Sequence, residues 1–124
     1  MTQRLLLEGA PPRAGAYAHA VVSDGLVYVS GQGPKDPRTG RLPESFDAQV
    51  QQALDNLAFI LDGANSAMTE VIKLNAYLAD LTNFDSFNAI FEKNFGGTLP
   101  ARTTIGCQLH GIMFEVDCVA KVRA

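Results

Sequence analysis

Arg102 follows Pro100-Ala101 at the head of a predicted strand. A guanidinium aimed into a pocket there can hold a carboxylate through paired charge-assisted hydrogen bonds, each worth about 1.5–3 kcal/mol net. Strand parity places Arg102 with Thr104, Gly106 and Gln108, opposite Thr103, Ile105 and Cys107, on the less apolar face. A surface arginine or a structural ion pair is the plain alternative. Glu115 lies mid-strand between Phe114 and Val116, where carboxylates are uncommon. Partial burial would raise its pKa and let it move protons near neutrality. It shares a face with Asp117, so the two carboxylates could repel and raise each other's pKa, or Glu115 could be an ordinary solvated strand residue. Tyr17 sits in Ala14-Gly15-Ala16-Tyr17-Ala18-His19, whose small residues let a backbone approach a ligand, unless the ring simply covers a sheet edge. Asn88 borders the apolar stripe of a predicted helix, between Phe84 and Phe91, as a buried amide or as a rim residue.

Other chemistries find little support. Gly31-Gln32-Gly33 lacks the third glycine and the following helix of a phosphate-binding turn, and Pro34 comes next. Ser30 and Cys107 are possible nucleophiles, but no base and orienting group accompany them. His19 and His110 are the only imidazoles and have no paired spacing, so no metal site is expected. Both read as ordinary surface histidines. Cys107 and Cys118 form no Cys-x-x-Cys and read as inert core thiols.

The elements that must position these residues follow from periodicity. Residues 4–7 are a candidate strand; 18–22 and 26–30 flank Ser23-Asp24-Gly25, a hairpin signal, and 31–42 read as a loop. Phe46, Val50, Ala53, Leu54, Leu57, Ile60 and Leu61 keep helical spacing, with Ser45 as N-cap and Gly63 as stop. Residues 71–79 read as a strand with Ile72, Leu74, Ala76 and Leu78 on one face. A second helix starts after Thr82, with Asp85 in a capping-box arrangement, and ends at Gly96-Gly97. Residues 101–109 and 112–122 read as strands with a tight His110-Gly111 connection. In the last strand Ile112, Phe114, Val116, Cys118 and Ala120 are set to meet the helices. Its other face mixes Met113, Glu115, Asp117, Val119 and Lys121, which suits a subunit interface containing pockets. The order predicts an α+β sandwich, two helices over one face of a mixed sheet.

The chain has 124 residues, enough for a single domain over residues 1–124 that folds without disulfides. Apolar residues at 47% and charged residues at 19% fit a soluble globule. A net charge of −3 argues against a nucleic-acid partner, and no apolar run is long enough to span a membrane or form a signal-peptide core, so the cytoplasm is the expected location.

From about Ala14 to Val122 the chain resembles the Rid/YjgF family, the reactive-intermediate deaminases. The resemblance is carried by Gly15-Ala16-Tyr17, Leu26-Val27-Tyr28-Val29-Ser30-Gly31-Gln32, Asp36-Pro37-x-Thr39-Gly40, Asn75-x-Tyr77-Leu78-x-Asp80-Leu81-x-x-Phe84, Asn88, Pro100-Ala101-Arg102 and Phe114-Glu115-Val116-Asp117. It implies a chorismate-mutase-like fold, with three subunits packing their sheets into a barrel and clefts between neighbours. It also implies hydrolysis of enamines and imines such as 2-aminoacrylate to 2-oxo acids and ammonia, with no metal or organic cofactor. On this chain Arg102 would grip the substrate carboxylate. Glu115 would activate water or relay a proton, and Tyr17 of the adjacent subunit would close the cleft. The backbone at Gly31 and Thr104 and the Asn88 side chain would line it. The expected partners are then a small imino or enamino acid and two further copies of the chain. A non-catalytic module binding small carboxylates or a protein is the alternative. The chain departs from the family pattern at Ala18, His19, Gly33, Thr104 and the short Gln108–Gly111 connection, all candidates for an altered cleft wall.

Overall fold

The structure, a computed structural model, describes residues 1–123. Six strands form one sheet: β1 (Thr2–Leu5), β2 (Ala20–Ser23), β3 (Leu26–Gln32), β4 (Val71–Leu78), β5 (Ala101–Gly106) and β6 (Phe114–Lys121), in the order β1-β2-β3-β6-β4-β5. Two helices, α1 (Phe46–Gly63) and α2 (Phe84–Phe95), complete the α+β architecture, as the sequence order predicts. β4 and β5 are parallel and all other neighbours are antiparallel. A parallel pair needs a crossover, and α2 supplies it.

Both helices cover one face. The stripe of α1 buries Val50, Ala53, Leu54, Leu57, Ile60 and Leu61 against the inward residues of β3, β4 and β6. On α2, Phe87, Phe91 and Phe95 are buried, and the Phe87 ring packs on Phe114 with centroids 5.2 Å apart. Each such side chain contributes about 1.5–3 kcal/mol by leaving water. Ser45 caps α1 as expected, accepting a hydrogen bond from the Ala48 N–H at 3.1 Å. No helix of the described residues is long and apolar enough to cross a membrane.

Several local expectations are corrected. Ser23 pairs with Leu26, so the hairpin turn is the two residues Asp24-Gly25, both at positive φ (52° and 77°). The first strand lies earlier than expected, at Thr2–Leu5. Ile72 is exposed and Val71 buried, because a bulge between Val71 and Lys73 shifts the register against β6 and reverses parity there. The start of α2 is organised by Asp80, whose carboxylate accepts from the Thr82 N–H (3.0 Å) and hydroxyl (2.7 Å), and not by a Thr82–Asp85 box. β5 and β6 are not neighbours. β4 lies between them, so residues 107–113 pass its end instead of forming a tight turn.

A second bulge positions the site. Between Val29 and Gln32 of β3, Ser30 and Gly31 stand against Asp117 alone on β6. Val29 and Gln32 therefore both face the core, although three positions apart, and the backbone of Ser30-Gly31 is re-aimed beside Glu115.

Candidate active site

Glu115 projects from the sheet face that carries no helix. Register places it opposite Tyr77, while the flanking Phe114 and Val116 point into the core. Its carboxylate rests over Gly31, and a Cβ on Gly31 would overlap it, so the missing side chain is what admits it. Burial first, then the charge of Asp117, raises its pKa above the usual carboxylate value. Asp117 is engaged elsewhere, accepting from Asn75 Nδ2 (2.8 Å) and from the Tyr77 hydroxyl (2.7 Å). Of the two carboxylates, Glu115 is thus the one without a hydrogen-bonding partner among the described residues and with a raised affinity for a proton.

Tyr17, Ser30, Gly31 and Glu115 line an open cleft of about 380 Å³. The Tyr17 ring folds back over its own loop. Its hydroxyl accepts from the Ala14 N–H at 3.0 Å, and the ring lies close to Gly15, where a Cβ would meet Cε2 at 3.3 Å. The small residues of this segment therefore serve the tyrosine first. The Ser30 hydroxyl is committed to the Ala18 carbonyl at 2.6 Å, which ties β3 to the loop that bears Tyr17.

Arg102 is elsewhere. Register aligns it with Leu74, a core residue, so its face of β5 is the one under α2. Its guanidinium lies over the rings of Phe91, Phe87 and Phe84, at 4.7, 5.0 and 5.6 Å from their centroids. Aromatic faces attract the cation without neutralising it. Desolvation lowers its pKa, but a guanidinium remains charged. The ion pair among the described residues is Arg38–Asp36, so Arg102 meets no carboxylate among them. Thr104 shares its face, in register with Ala76, and its buried hydroxyl oxygen has no hydrogen-bond partner among the described residues. Asn88 is exposed on α2, on the turn between Phe84 and Phe91.

The candidate residues thus fall into two half-sites. Tyr17, Gly31 and Glu115 stand together on the helix-free face; Arg102, Thr104 and Asn88 gather by α2 on the other. Tyr17 and Glu115 share a cleft within one chain.

Sequence reading did not foresee His19 as a core residue. It is 6% exposed, accepts from the Leu7 N–H at Nδ1 (3.0 Å) and bonds the Pro11 carbonyl through Nε2 (2.9 Å), which fixes the Nε2–H tautomer. It is a strut for the Tyr17 loop and not a surface histidine; its position in a small-residue segment gave no sign of that. His110 is exposed, as expected. Cys118 is buried as expected, its thiol pushed up to about 12 by burial and then by Asp117. Among the described residues no group of three His, Cys, Asp or Glu side chains is placed to hold a metal ion.

Comparison with known proteins finds relatives along nearly the whole chain. Residues 7–122 match a family model described as Endoribonuclease L-PSP. A 2-iminobutanoate/2-iminopropanoate deaminase of Rattus norvegicus is 39% identical over 114 residues, covering 90% of this chain and 83% of its own. The protein of that name from Escherichia coli is 32% identical, covering 99% and 100%. The crystal structure of RidA from the Antarctic bacterium Psychrobacter sp. PAMC 21119 superposes with a TM-score of 0.91 at 32% identity, covering 97% of this chain and 99% of that one.

Proposed function

The chain belongs to the Rid/YjgF family, whose model carries the description Endoribonuclease L-PSP, and from that premise we propose that it is an imine deaminase. It would convert small 2-imino and 2-enamino acids, 2-aminoacrylate among them, to 2-oxo acids and ammonia. The observation that carries this reading is the pair of unsatisfied groups: a guanidinium on an aromatic shelf with no anion among the described residues, and a glutamate with a raised pKa beside an open cleft. A small organic acid that reacts with water supplies what both lack. A net charge of −3 favours such a substrate over an RNA backbone.

The chemistry needs few groups. The enamine tautomerises to an imine whose carbon is already electrophilic. Arg102 holds the carboxylate and so fixes that carbon relative to Glu115. With the imine nitrogen protonated, Glu115 takes a proton from water as the oxygen adds to the carbon, which gives a neutral carbinolamine. It returns that proton to the nitrogen, and as the C–N bond breaks and ammonia leaves it takes up the hydroxyl proton, so that the carbon ends as the 2-oxo carbonyl and the proton passes on to ammonia or solvent. A carboxylate whose pKa is raised by burial and by the charge of Asp117 suits both directions of that transfer. Tyr17 covers the cleft, Gly31 and Thr104 present backbone to the ligand, and Asn88 adds a polar rim.

The two half-sites cannot meet within one copy, so the site lies between copies. The helix-free sheet face, with Tyr28, Ile105 and Met113 exposed around Asn75, Tyr77 and Asp117, is the surface by which three copies close into a barrel. One copy then brings Arg102 to the Glu115 cleft of the next.

The test is ammonia release from enzymatically generated 2-aminoacrylate by wild type and by Arg102→Ala, with assembly state measured in parallel. The variant is expected to lose turnover while the trimer persists. Full turnover in the variant refutes the clamp; saturable 2-oxo acid binding with no rate on any imine marks a binding module instead.

A further inference from the structure

The Glu115 cleft continues inward. Tyr17, Gly31 and Glu115 also border a second cavity of about 440 Å³, walled by residues 11–14, by Gly33-Pro34-Lys35 and by His110-Gly111-Ile112. Small-molecule sites occupy about 300–1,000 Å³. A three-carbon imino acid with its reactive carbon at Glu115 would leave this space empty.

The walls are held by specific bonds, so the space is preformed. His19 ties Leu7 and Pro11 into place on one side. On the other, the buried amide of Asn56 on α1 donates to the carbonyls of Gly33 (3.0 Å) and Lys35 (2.9 Å). Gln49, also on α1, donates to Pro43 and accepts from the Met113 N–H, both at 2.9 Å, which fixes the chain next to Ile112. The lining is largely apolar, with Pro11, Pro12, Pro34, Leu42 and Ile112 around the void. Arg13 and Lys35 are exposed at its border.

We propose that this cavity is the side-chain pocket of the same site. Gly33 opens it, and the substrates it selects are 2-imino acids with large apolar side chains, such as those derived from leucine or phenylalanine. The inference rests on the deaminase reading for its chemical step, but what the pocket accepts is measurable by binding alone. The role of Gly33 follows from space. A Cβ there would stand 3.3 Å from Ile112 Cδ1, a group that lines the same void, and the backbone is outside the left-handed region, so a side chain is conformationally allowed. A branched residue at this position would occupy the volume that the ligand needs.

The experiment supplies imines in situ from alanine, leucine, phenylalanine and glutamate with an amino-acid oxidase and follows ammonia release. Calorimetry of pyruvate, 4-methyl-2-oxopentanoate and phenylpyruvate is run alongside. Wild type is compared with Gly33→Ile and with Ile112→Phe, which fills the void from the opposite wall. Wild type is expected to prefer the leucine and phenylalanine imines to the alanine imine. Each variant is expected to lower the large-to-small ratio of kcat/KM by about 10–200-fold. The larger oxo acids should lose affinity in step. Unchanged ratios in folded variants, or a wild-type preference for the glutamate imine, overturn the proposal. If both variants fold poorly, the wild-type size series decides, and no preference for large side chains overturns it. If no imine turns over but oxo-acid binding shows the size preference and Gly33→Ile abolishes it, the deaminase reading falls and the pocket stands.

Discussion

Arg102 and Glu115 stand on opposite faces of one sheet. Arg102 is in register with Leu74, under the aromatic side of α2, and Glu115 is in register with Tyr77 on the face without helices. One substrate cannot touch both within a chain, and this dictates a complementation result. Arg102→Ala and Glu115→Gln chains are each expected to be inactive alone. Refolded together in equal amounts, they should regain activity, because random mixing in a cyclic assembly places both wild-type groups at about a quarter of the junctions. Activity that stays at zero in well-assembled mixtures would show that the two residues do not meet between copies.

The Gly31–Glu115 contact gives a sharper local test. Gly31→Ala drives a methyl group into the carboxylate, which must swing away. A displacement of about 1 Å can cost about 10²-fold in rate, so kcat should fall by that order while 2-oxo acid binding and Tm change little. Glu115→Gln, which keeps the shape and loses the proton, is expected to lower kcat by about 10²–10⁴-fold. Equal turnover in Gly31→Ala and wild type would mean that the position of Glu115 is not critical.

Why part of this was legible in sequence and part was not follows from register. Alternation along β6 correctly separates Phe114, Val116, Cys118 and Ala120 from Glu115 and Asp117, whereas Ile112, expected with the core set, precedes β6 and lines the cavity beside Glu115; the helical stripe of α1 with its Ser45 cap is local information. The face of Arg102 is not local: it depends on β5 lying parallel beside β4, at an edge where α2 brings phenylalanines over it. The bulges at Ile72 and at Ser30-Gly31 each insert one residue into an otherwise regular alternation, and only the opposing strand shows where. The Gly33 cavity is bounded by three segments distant in the chain and held by Asn56 and Gln49, two amides that helical periodicity would assign to ordinary polar positions.

Tyr77 and Asp117, together with the buried Cys118 thiol, make stability fall at alkaline pH. Burial first, then the hydrogen bond and charge of Asp117, push the phenol from 10.0 up to about 12. The folded state therefore keeps its proton after the unfolded chain has lost it. The stabilisation is complete below pH 10 and is lost as pH rises from 10 toward 12. Tyr77→Phe removes the hydrogen bond, at a cost of about 1 kcal/mol near neutrality, and should flatten the fall in Tm across that interval. Parallel alkaline profiles for the two proteins would contradict this assignment.

His19 joins the N-terminal segment to the site, because both ring nitrogens hold backbone that leads into the Tyr17 loop. Truncation strands a Leu7 N–H and a Pro11 carbonyl and leaves a void where the ring was buried. Such losses together amount to about 2–4 kcal/mol. His19→Ala is therefore expected to lower the urea midpoint, with amide exchange at Leu7 accelerated toward the rate of an unprotected amide. The effect on function should be selective as well. With the residue 11–14 wall released, KM for a large imine should rise more than KM for 2-aminoacrylate, since Arg102 and Glu115 keep their own supports. A variant that retains wild-type stability and a slowly exchanging Leu7 amide would show that the wall stands without the imidazole.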